Sequence, residues 1–100
     1  MPSIIPAHLH DMIPGLYVTE ATPDIYRIVH LHYFSNRSRL EWFVLEHDAE
    51  TGTCFGLVNS FELQLREFTL HDLPHVERDL AWMPRSLATV RAELNKERAR

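Results

Sequence analysis

The chain has 100 residues, of which 45% are hydrophobic and 24% charged, as expected for one small globular domain rather than a disordered chain. The net charge of −4, with histidines neutral, argues against a protein built mainly to coat nucleic acid, and the single cysteine excludes an internal disulfide framework. Because no apolar run approaches the ~20 residues of a membrane-spanning helix and no signal peptide is recognisable, we expect a cytoplasmic protein that does not contact a membrane.

The first two-thirds of the chain predict an irregular arm followed by a sheet. Residues 1–24 contain four of the six prolines, which favour extended or irregular backbone. Residues 25–70 then alternate between apolar and polar side chains in segments separated by short polar turns, which is the pattern of an antiparallel meander. The predicted strands are 25–34, 40–46, 53–58 and 61–70.

Residues 71–100 predict a turn and a C-terminal helix, although 76–82 show no clear period. Ser86 stands where a helix N-cap belongs, and Leu87, Val90 and Leu94 follow at helical spacing. The sequence therefore predicts an α+β fold in a single domain of residues 1–100. We expect a roughly four-stranded, mostly antiparallel sheet, with the C-terminal helix and the N-terminal arm packed on one face.

The charge of the chain is unevenly distributed. Residues 1–84 carry five arginines and twelve acids, whereas residues 85–100 carry four arginines, one lysine and two glutamates. A basic C-terminal end is typical of a solvated helix, because the helix dipole favours cations at the last turn. The same charges are able to contact an acidic partner or a phosphate backbone, so a nucleic-acid-binding module is an alternative.

An ordered set of short segments resembles a known bacterial family. The segments VHLHYF at 29–34, WFVLEHD at 42–48 and FGLV at 55–58 are not specific alone, but their order is. Over about residues 13–87 the chain is similar to the family called domain of unknown function 2958. The further segments are 61–62, 68–70, 72–73 and 77–80, followed by Pro84 and Leu87.

Members of that family are small proteins encoded on plasmids, phages and conjugative elements, and the family has no established activity. The resemblance therefore implies a genomic setting and not a mechanism. The small size of the chain and the lack of a recognisable catalytic set favour a non-enzymatic accessory protein of a mobile element, one that binds a protein of the host or of the element. An inhibitor of host defence, of the anti-CRISPR or anti-restriction type, is the specific form of that expectation. The chain departs from the family at His32, where Lys is frequent, at Leu40, where Trp is frequent, and at 66–67, where Gly-Tyr is frequent. It is also shorter than the family between 73 and 77.

No catalytic set is recognisable in the sequence. The three glycines are isolated, so there is no phosphate-binding glycine loop, and no nucleophile-elbow motif is present. We predict that the protein is not an enzyme, has no catalytic residues and uses no cofactor.

Seven histidines raise the question of a metal site. His30 and His32 share one face of a predicted strand, and similar pairs occur at 8 and 10 and at 71 and 75, so two imidazoles could reach one zinc ion. No cysteine pair and no His-Glu-x-x-His motif completes such a ligand set. We predict histidines that pack or hydrogen-bond at the sheet surface and no metal, with a histidine-based metal-binding domain or enzyme as an alternative.

One acidic residue in an apolar strand predicts an ion pair. By alternation, Glu46 shares the face of Trp42 and Val44, where an unpaired carboxylate is costly. Arg78 is the natural partner, because arginine forms bidentate pairs with carboxylates. We predict a structural ion pair of Arg78 with Glu46 or Glu62.

Large apolar side chains on both faces of the second predicted strand indicate an apolar patch at the surface or at a subunit interface. We place a protein-binding or self-association surface at Tyr33, Arg37, Arg39 and Phe43. A host or element protein, or a second copy of the chain, is the expected partner. In the competing interpretation, single-stranded nucleic acid stacks on aromatics of the sheet while Arg37 and Arg39 contact phosphates.

Overall fold

The computed structural model describes residues 5–73 and 75–100, which form two sheets and one α-helix. In chain order the elements are β1 (Ile28–Val29), β2 (Leu31–Ser35), β3 (Glu41–His47), β4 (Thr53–Asn59), β5 (Leu63–Thr69), β6 (Val76–Arg78), β7 (Arg85–Ser86) and α1 (Leu87–Arg98). The main sheet has the strand order β5-β4-β3-β2-β6, and its neighbouring strands are antiparallel. The predicted α+β class and the meander from β2 to β5 are confirmed.

The three shortest strands differ from the prediction. The predicted strand 25–34 is interrupted at His30, whose backbone N–H donates to the carbonyl of Val44 over 2.9 Å. The part before this break, β1, pairs with β7 in a separate two-stranded ribbon, and β6 adds a fifth strand to the main sheet beside β2. Strands of two or three residues are too short to show an alternating pattern, so their pairing depends on tertiary contacts.

The main sheet is covered on both faces, and the two covers are different. α1 packs on the face that carries Phe43 and Leu45, as the sequence predicts for the helix. The N-terminal arm, which includes a 3-10 helix at Ala7–Met12, packs on the opposite face rather than beside the helix. The reason is that β3 presents large apolar side chains in both directions, and each face needs its own cover. The buried residues on the arm side are Ile5, Ile13, Leu31, Tyr33, Trp42, Val44, Cys54, Val58 and Leu70.

The helix begins at the predicted N-cap. The hydroxyl of Ser86 accepts a hydrogen bond from the backbone N–H of Thr89 over 3.1 Å, and Leu87, Val90 and Leu94 are buried against the sheet. Lys96 stands with Arg98 in the last turn, where the helix dipole favours cations. None of the helices in the described part of the chain has the length and apolar character required to cross a bilayer.

A β-bulge in β3 changes which face its last residues occupy. Val44 is the register partner of Gly56, but the next pair is Glu46 with Phe55, so one extra residue is accommodated in β3. Directly paired residues share a face, so Glu46 lies with Phe55 on the helix side and not with Val44. The backbone is crowded here, because a Cβ placed on Gly56 would lie 1.8 Å from the carbonyl oxygen of Phe43.

Candidate functional site

The four residues of the predicted binding surface do not lie together. Tyr33 is 0% and Phe43 2% exposed, and they point to opposite faces of the sheet, into the arm-side and the helix-side cores. Arg37 and Arg39 lie in the β2–β3 turn and are exposed. The predicted surface is therefore wrong for the two aromatic residues, because a domain of this size uses both faces of its central strand as core. The two arginines are accessible.

The predicted buried carboxylate exists, but its partner is Arg27. The side chains of Glu46 and Arg27 are 1% and 7% exposed, and Arg27 Nη2 lies 3.2 Å from Glu46 Oε2. The pairing with Arg78 is incorrect, because Arg78 lies in β6, which β2 separates from β3. Glu62 is exposed and accepts a hydrogen bond from the Gln64 amide over 3.0 Å.

The Glu46 carboxylate holds the N-terminal arm to the sheet. The backbone N–H groups of Tyr17 and Thr19 each donate to it over 2.8 Å, and the Thr19 hydroxyl donates as well. Tyr17 adopts a positive φ of 69°, which helps the two N–H groups to converge on one anion. Burial alone would raise the pKa of Glu46, but the Thr19 hydroxyl, the two amides and Arg27 together lower it below its usual value. Four donors from the arm and from Arg27 surround the carboxylate, which favours a structural role for this site.

The histidines are spread over separate environments. His30 lines a mostly apolar pocket with Leu9 and Trp82, whereas His32 lines a different, polar pocket. The rings of His10 and His47 are in tilted contact, with 4.9 Å between their centroids and 53° between their planes. Burial, followed by the charge of His10, lowers the pKa of His47. Among residues 5–73 and 75–100, no group of three or more His, Cys, Asp or Glu side chains is placed to hold a metal ion.

The C-terminal helix and the β2–β3 turn bring two arginines to one open pocket of about 540 Å³. We call it the arginine pocket. Arg39 comes from the turn and Arg98 from the last turn of α1, so the basic end of the chain and the basic turn meet here. Two carboxylates, Glu41 and Glu97, lie in the same wall. The remaining lining residues are Phe34, Ser35, Ser38, Leu40, Asn59 and Ser60.

An exposed aromatic residue lies next to the arginine pocket. Arg98 donates to Asn59 Oδ1 over 2.6 Å, to the carbonyl of Ser60 over 3.1 Å, and to the carbonyl of Phe61. These bonds fix the β4–β5 turn against the end of the helix. The side chain of Phe61 is left 98% exposed, although it begins the stretch that the sequence predicts as a strand. Arginine beside an exposed aromatic ring is the composition of a protein-binding hot spot.

His32 forms the centre of a second cluster between the sheet and α1, which we call the His32 cluster. Its Nδ1 lies 2.9 Å from Asp79 Oδ2 and its Nε2 lies 2.8 Å from Glu41 Oε2. The ring stacks on Phe43 at 4.5 Å and lies 5.1 Å from Trp82. The cluster lines a pocket of about 190 Å³ together with Arg85, Glu93 and Glu97.

The contacts of His32 with two carboxylates favour its protonated form. A carboxylate only accepts hydrogen bonds, so contacts of both ring nitrogens with carboxylates require both nitrogens to carry a proton. Burial would lower the pKa of His32, but the hydrogen bonds to Glu41 and Asp79 raise it above its usual value. The hydrogen bond between His32 and Asp79 also lowers the pKa of Asp79. With both nitrogens engaged, His32 has none left to act as a base on a substrate.

Sequence reasoning missed most of these residues because their partners are distant in the chain. Arg98 and Asn59 lie on different elements, and no spacing rule connects a C-terminal helix to a hairpin turn. One signal was present in the sequence. Phe61 directly follows Asn59 and Ser60, two residues that favour turns, so it is expected to lie in a turn and not in a strand. For His32 the sequence predicts packing or hydrogen bonding at the sheet surface, with metal binding as the alternative, but it does not identify the two acidic partners, because Asp79 lies 47 residues away in the chain.

No model of a known protein family matches the chain, and no curated protein and no solved structure matches it either.

Proposed function

We propose that this protein acts by binding another protein at the arginine pocket, without catalysing a reaction. The observation that carries the proposal is the convergence of Arg39 and Arg98 on one open pocket beside the exposed ring of Phe61. A polar anchor next to a protruding apolar anchor is the arrangement that concentrates binding energy in protein interfaces.

The charges of the pocket favour a protein over a polyanion as the partner. Glu41 and Glu97 share the wall with the two arginines, and the whole chain carries a net charge of −4. A nucleic-acid backbone would meet both signs of charge, which costs electrostatic binding energy. A protein surface with an acidic group and an apolar recess suits the mixed pocket and Phe61 better.

The resemblance to a family of mobile-element proteins suggests where the partner is found. On that basis, the partner is a protein of the bacterial host or of the element itself, and the corresponding role is an inhibitor of host defence of the anti-CRISPR or anti-restriction type. We place the protein in the cytoplasm, where such partners occur. Its effect would come from occupying a partner's surface.

Affinity capture from a bacterial lysate tests the proposal. We expect a partner to be retained by the unaltered protein and lost with the double variant Arg39→Glu, Phe61→Ala, because one of the two arginine charges is then reversed and the apolar anchor is removed. The matched control is Arg91→Glu, Leu80→Ala, since Arg91 lies about two turns earlier in α1, beside Asp24, and Leu80 is 81% exposed.

Two results contradict the proposal. Loss of the partner with both double variants would place binding elsewhere on the surface. Recovery of nuclease-sensitive nucleic acid in place of a protein, with a strong dependence on salt, would favour the nucleic-acid-binding alternative.

A further inference from the structure

The His32 cluster and the arginine pocket are connected by a continuous chain of side-chain hydrogen bonds. Asp79 contacts one nitrogen of His32, and Glu41 contacts the other through its Oε2. The second oxygen of Glu41, Oε1, accepts from the Asn59 amide over 3.1 Å. The oxygen of the same amide accepts from Arg98 over 2.6 Å, so the chain runs from Asp79 to Arg98 without a gap.

Glu41 is the residue that belongs to both sites. It lines the arginine pocket with Arg39 and Arg98, and it lines the pocket of the His32 cluster. Its side chain is 25% and that of His32 13% exposed, so water screens their mutual attraction only in part. The charge that Glu41 presents to the arginine pocket is therefore set by whether His32 neutralises it.

The charge balance of the pocket around His32 depends on whether His32 is protonated. Asp79 follows β6, and Glu93 and Glu97 extend from α1. Arg85 of β7 is the other cation in this pocket, and Glu93 already binds it at 2.6 Å. Without its proton, His32 keeps one N–H and faces two carboxylates, so one of them loses its donor. The four carboxylates of this pocket already outnumber its two cations, His32 and Arg85, and loss of the proton adds one further uncompensated negative charge beside the arginine pocket.

We propose that His32 is a proton-controlled switch that sets the affinity of the arginine pocket for an acidic group of its partner. Protonated His32 neutralises Glu41 and leaves the positive field of Arg39 and Arg98 to the partner. Loss of the proton frees the charge of Glu41, which repels an acidic ligand and competes with it for the arginines. This inference rests on the proposed function, because it concerns the regulation of the same site.

The experiment uses nuclear magnetic resonance on the unaltered protein and follows the His32 ring and the Arg98 Nε–H signals while the pH is raised. We expect the Arg98 signal to shift with the titration of His32 and not with that of the other histidines. An Arg98 signal that stays constant while His32 titrates would overturn the switch. This measurement needs no variant, so it stands even if a substitution of His32 impairs folding.

Binding of a hexaglutamate peptide is then measured at both ends of the titration. We expect ~3- to 10-fold weaker binding at about pH 8 than at about pH 6, because one positive charge is lost next to the pocket. By reciprocity, saturating peptide lowers the acid dissociation constant of His32 by the same factor, and its pKa rises accordingly. The difference should disappear in His32→Gln and persist in His71→Gln, a matched change of an exposed histidine outside the chain of hydrogen bonds.

The two proposals fail in different ways. Binding that is equally tight at both pH values in the unaltered protein overturns the switch and leaves the arginine pocket as an acidic-ligand site. If the peptide binds at neither pH, the pocket does not accept an acidic group of a partner. The regulation proposed here then fails as well, even if the Arg98 signal follows the titration of His32.

Discussion

At the scale of single residues, Glu46 is a buried carboxylate that connects separate parts of the fold. Its carboxylate joins β3 to the N-terminal arm through the amides of Tyr17 and Thr19 and to Arg27. The side chains of Glu46 and Arg27 are almost completely buried, so water hardly reaches this ion pair. Removing either charge therefore leaves the other buried and unpaired, which is a costly outcome.

We predict that Glu46→Gln lowers the free energy of unfolding by about 3 kcal/mol, as measured by denaturant unfolding. The amide offers one acceptor oxygen where the carboxylate offered two, and Arg27 loses its counter-charge. The matched control is Arg91→Ala, which breaks the exposed pair with Asp24 at 3.1 Å and should cost less than about 1 kcal/mol. Equal losses in the two variants would contradict a special role for Glu46.

Glu46 also makes the free energy of unfolding depend on pH. The pKa of Glu46 is lowered in the folded state, so its contribution is present above the pKa of the unfolded chain and is lost as the pH falls through the folded value. The stability gap between the unaltered protein and Glu46→Gln should therefore narrow on acidification. A gap that is constant from neutral to strongly acid pH would show that the charge of Glu46 does not stabilise the fold.

At the level of elements, the bulge in β3 decides how the two layers fit the sheet. It places Glu46 on the helix side beside Phe55. The backbone of β3 approaches β4 closely at Gly56. Only glycine fits here, because a Cβ would meet backbone atoms of Phe43 that cannot move aside as a side chain does. The bulge and Gly56 therefore act together to set the path of β3 and β4 at the centre of the sheet.

We predict that Gly56→Ala destabilises the protein by about 3 kcal/mol or prevents folding, because the added methyl group forces β3 and β4 apart. Thermal or denaturant unfolding measures the effect. Gly15→Ala is the matched control, since its Cβ would meet only Val18 Cγ2 at an ordinary 3.7 Å. A Gly56→Ala protein as stable as the control would show that the strands have room to separate.

For the whole molecule, the cover on the arm side determines how accessible the single cysteine is. Cys54 is 1% exposed beneath the N-terminal arm and Leu70, and burial raises the pKa of its thiol to about 12. A thiol reagent needs both access and a thiolate, and the folded protein denies both. Reaction of Cys54 therefore reports the opening of this layer.

We predict that Cys54 reacts with a thiol reagent only at the rate of global unfolding, because the arm is held by Glu46 and does not open alone. Ala49→Cys in a Cys54→Ala background is the control, since residue 49 is exposed in the β3–β4 turn and should react at once. Labelling of Cys54 much faster than unfolding would show that the arm detaches while the sheet stays intact.

The sequence by itself determined the α+β class, the four-stranded meander, the C-terminal helix and its N-cap at Ser86. These features depend on alternation, helical spacing and local hydrogen bonding, which act between residues close in the chain. The need of Glu46 for a cationic partner was also readable, because burial of a lone charge is unfavourable in any fold.

Tertiary structure alone decided which residues meet. It assigned Arg27 to Glu46, because the bulge turned that carboxylate towards the helix side, and it buried Tyr33 and Phe43 on opposite faces, because the arm covered the second face. It also brought Arg39 to Arg98, because the helix ends beside the open end of the sheet. These tertiary contacts depend on how the helix, the arm and the sheet pack together, and no pattern within a single segment of the sequence encodes them.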